Sequence, residues 1–186
     1  MDKLATLSPE KWKRIAENPA TYPFAGDAGF STECQVKAPL DEVAAFFSKP
    51  ANVRELTPPR FDMSVLEGDG DSAVEAGRNV FYRTRTFGVP GVWQAYFPHV
   101  WNDPGSRGFI DIRTGGVFSR WCHVHRFESL PSGGTRVLDD LRWRLALLRP
   151  IGWVGELVVE QQVRMLFRYR EKRLDELFGL TRGTTR

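Results

Sequence analysis

Cysteine is almost missing from this chain. Cys34 and Cys122 are its only two, far apart and in no metal-type pair. That excludes a disulfide scaffold and points to a reducing cytoplasm. Histidine is nearly as scarce, with three in 186 residues. No apolar run approaches the roughly 20 residues of a membrane-spanning helix. Met1-Asp2-Lys3-Leu4 opens without a secretory hydrophobic region, so a cytoplasmic chain with no stable membrane insertion is expected. Charge of one sign is also in short supply, and a net +3 identifies no partner. Seven Lys/Arg face three acids in the last 23 residues. Basic residues late in a helix complement its dipole, however, and no aromatic platform accompanies them, so no nucleic-acid partner is expected.

What is present is an ordinary globular balance, 41% hydrophobic and 26% charged, in a length that fits one sizeable core. Residues 1–24 read as an N-terminal helical appendage. Ser8 is a fitting N-cap with Pro9 behind it, Trp12 and Ile15 make one apolar edge, and Asn18-Pro19 ends the helix. A lid or strap without chemistry is the favoured role. From Phe30 to Val36 apolar residues alternate at period two, the mark of a first strand. Two short helices follow, one over 42–47 with Asp41 as N-cap and one over 51–56, stopped by Thr57-Pro58-Pro59. Strands are then predicted over 61–67, 78–86, 92–101, 108–113, 119–129 and 135–144. Glycine- and proline-bearing links separate them, short enough to make neighbours antiparallel.

After Pro150-Ile151-Gly152 a helical period runs over 153–178, about 39 Å at 1.5 Å per residue. Val154, Val158, Val159, Val163, Met165, Leu166, Tyr169, Leu174 and Leu177 make its apolar arc. Gln162 and Arg170 intrude on that arc, and Gly179 is a natural C-cap. The sum is a single α+β domain, a curved seven-stranded antiparallel sheet around a long C-terminal helix, over residues 25–180, with a tail over 181–186.

This order resembles the helix-grip fold of the START-domain, pollen-allergen and polyketide cyclase/dehydrase superfamily, also known as SRPBCC. Particular words are similar to a bacterial, cell-division-inhibitor-like branch of ligand-binding proteins. They are Ala38-Pro39 with Val43 and Phe46-Phe47, Leu56-Thr57-Pro58-Pro59, Trp93, and Phe109-x-Asp111. To these add Trp121-x-His123-x-His125-x-Phe127, Gly133-Gly134-Thr135 with Asp139, and Phe167-x-Tyr169-Arg170. The resemblance spans about residues 29–178. It implies a fold more than a function, since superfolds host many activities. That branch has Tyr at the position of Trp143, so this end of the cavity is expected to differ in shape. Gly88-Val89-Pro90-Gly91 resembles the gate loop of plant hormone receptors with this fold, with the turn Thr114-Gly115-Gly116-Val117-Phe118 beside it. An ordinary hairpin turn fits the same residues.

Alternation selects the inward face. Arginines cluster at the even positions of 120–126 and 138–144, which places Trp121, His123, His125, Phe127, Asp139 and Trp143 inside and the even face in solvent. Trp93, Ala95, Phe97, His99 and Trp101 share one face of their strand, as do Phe109 and Asp111. A three-residue loop Pro131-Ser132-Gly133, with Gly133 left-handed, sets His125 opposite Asp139, His123 opposite Leu141 and Trp121 opposite Trp143. Asp111 then falls opposite Trp121 or His123.

The expected site is a polar cluster of Asp111, His123, His125 and Asp139, walled by Trp93, Phe97, Trp121, Phe127 and Trp143. Gln162 and Arg170 reach it from the helix. Arg170 would anchor a carboxylate or pair with Asp111 or Asp139.

Several chemistries fit the cluster. A satisfied polar pair is the structural one. Binding of a small hydrophobic or lipid-like molecule is the functional reading adopted. The alternatives are a cyclase or dehydratase using His123, His125, Asp139 and Asp111, and an interaction adaptor with a vestigial cavity. His-x-His can chelate zinc with Asp111 as third ligand, but the motif alone is weak, and neither a metal nor a cofactor is assigned. A homodimer is compatible with the sequence.

Overall fold

A computed structural model describes residues 4–86, 88–114, 118–146 and 152–181. The glycine turn at 115–116, the 150–151 link and the basic residues Arg182 and Arg186 of the tail lie outside them. Seven strands are present: β1 (Ala28–Val36), β2 (Ser64–Glu67), β3 (Asn79–Thr86), β4 (Val89–Asp103), β5 (Ser106–Thr114), β6 (Phe118–Ser129) and β7 (Thr135–Leu145). Three α-helices accompany them: α1 (Pro9–Glu17), α2 (Leu40–Ser48) and α3 (Gly152–Phe178). The strands form one antiparallel sheet in the order β1-β7-β6-β5-β4-β3-β2. Short links pair β2 to β7 in sequence, and β1 closes beside β7. The curved sheet and α3 make the expected helix-grip arrangement, and the second short helix is a 3-10 helix over Pro50–Arg54.

Local rules explain most element ends. Gly133 takes φ +89 and donates its N–H to Leu130 O, making the three-residue hairpin. Gly179 takes φ +66 and donates to Asp175 O at 2.9 Å, a left-handed stop for α3. Asp41 is not the N-cap of α2. Pro39 holds that place without a side-chain cap, and Asp41 sits in the first turn, ion-paired with Arg107 at 2.6 Å.

The buried stripe of α3 is narrower than the predicted arc. Val159, Val163, Phe167, Arg170 and Leu174 are buried, spaced at three and four residues, whereas Val158 and Leu177 are 43% and 38% exposed.

Two corrections concern the sheet's faces. Between Tyr96 and His99 the register of β4 on β5 shifts, so that Phe97 and Pro98 together oppose one residue. Proline cannot donate to the ladder, and the extra residue reverses the alternation. Phe97 therefore faces inward, while His99 and Trp101, expected inside, lie on the outer face, their rings stacked at 5.7 Å.

The outer face itself is not left to solvent at its centre. Ile110, Ile112, Cys122 and Val124 are buried there against Leu4, Trp12, Ile15 and Ala16. Arginines rim this second core. Arg120 Nε donates to Asp27 at 2.7 Å, and Arg126 bonds the Ala16 carbonyl near the end of α1.

Candidate functional site

On the inner face, the predicted register is observed between β6 and β7: His125 opposite Asp139, His123 opposite Leu141, Trp121 opposite Trp143. Asp111 lies opposite His123, one of its two expected places. The hydrogen bonds, however, run diagonally. His123 Nε2 meets Asp139 Oδ1 at 3.0 Å, and His125 Nε2 meets Asp111 Oδ2 at 3.1 Å. Each bond joins a residue to the one two places along from its direct partner, a reach that long side chains manage on a twisted sheet.

His125 Nδ1 is also 2.9 Å from Asp139 Oδ1, but out of hydrogen-bonding geometry, and His123 Nδ1 is 3.8 Å from Asp111 Oδ2. Each imidazole therefore stands between both carboxylates, with ring centroids 3.8 Å apart. The hydrogen bond to Asp139 thus comes from His123 and not from His125, its direct partner in the register. Arg170 Nη1 donates to Asp139 Oδ1 at 3.0 Å, so its predicted ion pair is with Asp139. All five groups are buried.

Burial, with His125 beside it, pulls the His123 pKa down to about 4 despite its bond to Asp139. Burial also opposes charge on His125, but its contacts with Asp111 and Asp139 outweigh that and raise its pKa. Burial likewise works against ionised Asp139, and Arg170 and the two histidines outweigh it, holding this carboxyl well below the usual range. The cluster thus keeps two charged carboxylates and admits a first proton at His125 more readily than at His123.

A cavity of about 150 Å³ opens beside the cluster, between the sheet, α2 and α3. Of the predicted site residues, Trp93, Phe97, Asp111, Trp121, His123, His125, Gln162 and Arg170 border it. Phe127, Asp139 and Trp143 are not among its lining residues. Phe127 packs on Phe47 with ring centroids 4.7 Å apart, Asp139 is in contact with both histidines and Arg170, and Trp143 is buried among Trp121, Leu141 and Val159. Gln162 accepts a bond from Arg60 at 2.9 Å. Gly88, Val89, Pro90 and Gly91 do not border the cavity; they close the β3–β4 hairpin, with Thr86 opposite Val89 and Thr84 opposite Gly91.

Arg113 was missed. It lines the cavity with its guanidinium 3.6 Å from the Trp93 ring centroid and 4.1 Å from that of Trp121. Its Nη1 is buried and has no hydrogen-bond partner among the described residues, and burial pushes its pKa down to about 10. Alternation from Phe109 through Asp111 was the available signal. The rule that arginines face water concealed it.

No family model matches the chain, and no curated protein does. Solved structures do. A START superfamily protein from Mycobacterium smegmatis matches at TM-score 0.56 and 17% identity, over 82% of this chain and 99% of that one. Norcoclaurine synthase from Thalictrum flavum, solved in complex with dopamine and hydroxybenzaldehyde, matches at 0.55 and 13%, over 81% and 86%. The di-domain ARO/CYC protein BexL, from the BE-7585A biosynthetic pathway, matches at 0.56 and 16%, over 80% of this chain and 46% of its own. The chain therefore shares the fold of these solved structures, a curved antiparallel sheet gripping a long C-terminal helix. Among the described residues no helix is long and apolar enough to cross a membrane.

Proposed function

We propose that the chain binds a small, mostly apolar molecule bearing an acidic group in the cavity between sheet and C-terminal helix. The observation that carries this reading is Arg113, a half-buried cation held between two indole rings whose buried Nη1 is left without a hydrogen-bond acceptor among the described residues. A buried donor without an acceptor is costly, and a carboxylate or similar anion in the cavity would satisfy it. Arg170, for which the sequence left open a carboxylate anchor or an ion pair, is already committed to Asp139.

Size narrows the class. A cavity of about 150 Å³ is of the order that accepts one benzene ring, below the roughly 300–1,000 Å³ of drug-sized sites. A single-ring aromatic acid fits this volume, whereas a lipid or fused polyketide would require the walls to part. A catalytic reading is favoured by one separate observation: His125, whose pKa is raised, borders the cavity and could hold or release a proton there. The cytoplasm belongs to the proposal too, supported by Cys34 and Cys122, which form no disulfide.

Calorimetric titration with benzoate and with uncharged benzyl alcohol tests the reading. Benzoate is expected to bind more tightly, and Arg113→Gln to remove that preference. Equal affinity for both probes, or binding of neither, would overturn it.

A further inference from the structure

We infer that Asp111, His123 and His125 form a three-ligand site for a divalent first-row metal ion, open toward the cavity. One donor atom from each residue lies within 4.8 Å of the others. Asp111 Oδ2 is 3.1 Å from His125 Nε2 and 3.8 Å from His123 Nδ1. Metal bonds of the usual length at a tetrahedral angle place neighbouring donors about 3.3 Å apart, so small side-chain rotations would bring this set into range.

The other nitrogen of each imidazole distinguishes the arrangement from a chance cluster. His123 Nε2 and His125 Nδ1 lie 3.0 and 2.9 Å from the same Asp139 Oδ1, and Arg170 braces that carboxylate from behind. Metal-binding histidines commonly give their remote N–H to a carboxylate, which sets the tautomer and aims the ring. Here Asp139 already meets His123 in this way and lies 2.9 Å from His125 Nδ1, which a small ring rotation would bring into donating geometry.

Asp111, His123 and His125 border the cavity while Asp139 does not, so free coordination positions would face the space an organic ligand occupies. Asp111 and Asp139 offset Arg113 and Arg170 when both imidazoles are neutral. A dication would add two positive charges and favour an anionic fourth ligand from the cavity. Two imidazoles and one carboxylate suit zinc or iron(II).

The site is independent of the proposal for Arg113, which contributes no ligand. Full-length protein stripped with a chelator is titrated with Zn²⁺, and with Co²⁺ for its visible spectrum, in buffer free of carboxylates. One ion per chain is expected. Asp111→Asn and His123→Gln should each weaken binding at least 100-fold, and Asp139→Asn, which removes no ligand but weakens the support of the imidazoles and the ion pair with Arg170, about 10- to 100-fold.

On the unmutated chain, zinc should shift the ring-nitrogen resonances of His123 Nδ1 and His125 Nε2, a readout that needs no variant to fold. Absence of stoichiometric binding, binding that survives both ligand substitutions in folded protein, or zinc that leaves those resonances unmoved would overturn the site. Failure here would leave the preference for benzoate intact, and loss of that preference would leave zinc binding intact.

Discussion

Strands β5 and β6 present two faces that differ in nearly every respect. Ile110, Ile112, Cys122 and Val124 on the outer face are closed over by Leu4 and α1, which seal the sheet with apolar packing. Asp111, Arg113, His123 and His125 on the inner face meet α3 across a cavity. Neighbours in sequence thus end in opposite environments. Apolar side chains can fill space in many ways, and a short amphipathic segment suffices to cover them. Charged and imidazole groups bond only in particular directions, so burying them demands partners and leaves room between them.

The largest expected effects separate the two faces by their second readout. Asp139→Ala strands Arg170 and leaves two imidazoles short of a contact, and should cost about 3–5 kcal/mol by urea unfolding while also weakening zinc. A loss under about 1 kcal/mol would deny the cluster its structural weight. On the outer face, Trp12→Ala should cost a similar 3–5 kcal/mol, with zinc and benzoate binding of the folded protein unchanged. Altered ligand binding in that variant would mean that the faces are coupled.

Double-mutant cycles sharpen the contrast. His125→Ala with Asp111→Ala should show a coupling of roughly 0.5–3 kcal/mol, whereas His125→Ala with Trp12→Ala should be additive within about 0.5 kcal/mol.

pH provides a smaller effect in metal-free protein. With its folded pKa near 4, His123 is neutral in the native state but protonated in the unfolded chain below its ordinary 6.5. The unfolded state then binds more protons, so this histidine makes stability fall as pH drops from about 6.5 toward 4. His125, shifted upward, contributes the opposite way. Urea unfolding at several pH values should show a shallower acid loss for His123→Gln than for the parent chain. A steeper loss would contradict the assignment of the low pKa to His123.

The smallest change is expected from Arg113→Gln. Removing a half-buried cation whose Nη1 lacks an acceptor should move stability by under about 1 kcal/mol, although it abolishes the preference for benzoate. A large destabilisation would mark Arg113 as structural.

Much of the framework is legible in the sequence because it rests on local rules. Gly133 requires a left-handed turn, the turn sets the β6–β7 register, and the register brings His125 level with Asp139, all within one hairpin. Gly179 and the three- and four-residue spacing along α3 are equally local. His99 and Trp101 were misplaced because alternation fails silently wherever a bulge adds a residue, as at Phe97-Pro98. The buried outer face was missed because its cover comes from Trp12 and Ile15, distant in sequence from Ile110 and Val124.

The sequence by itself determined the order of elements, the hairpin register and the inward placement of the His-x-His face, since these follow from turn chemistry and a period of two. Only the tertiary structure decided that the imidazoles bond diagonally, that Arg113 stands between Trp93 and Trp121, and that the N-terminal helix seals the opposite face. Those depend on sheet twist, rotamer choice and contacts between remote segments, and no local period encodes them.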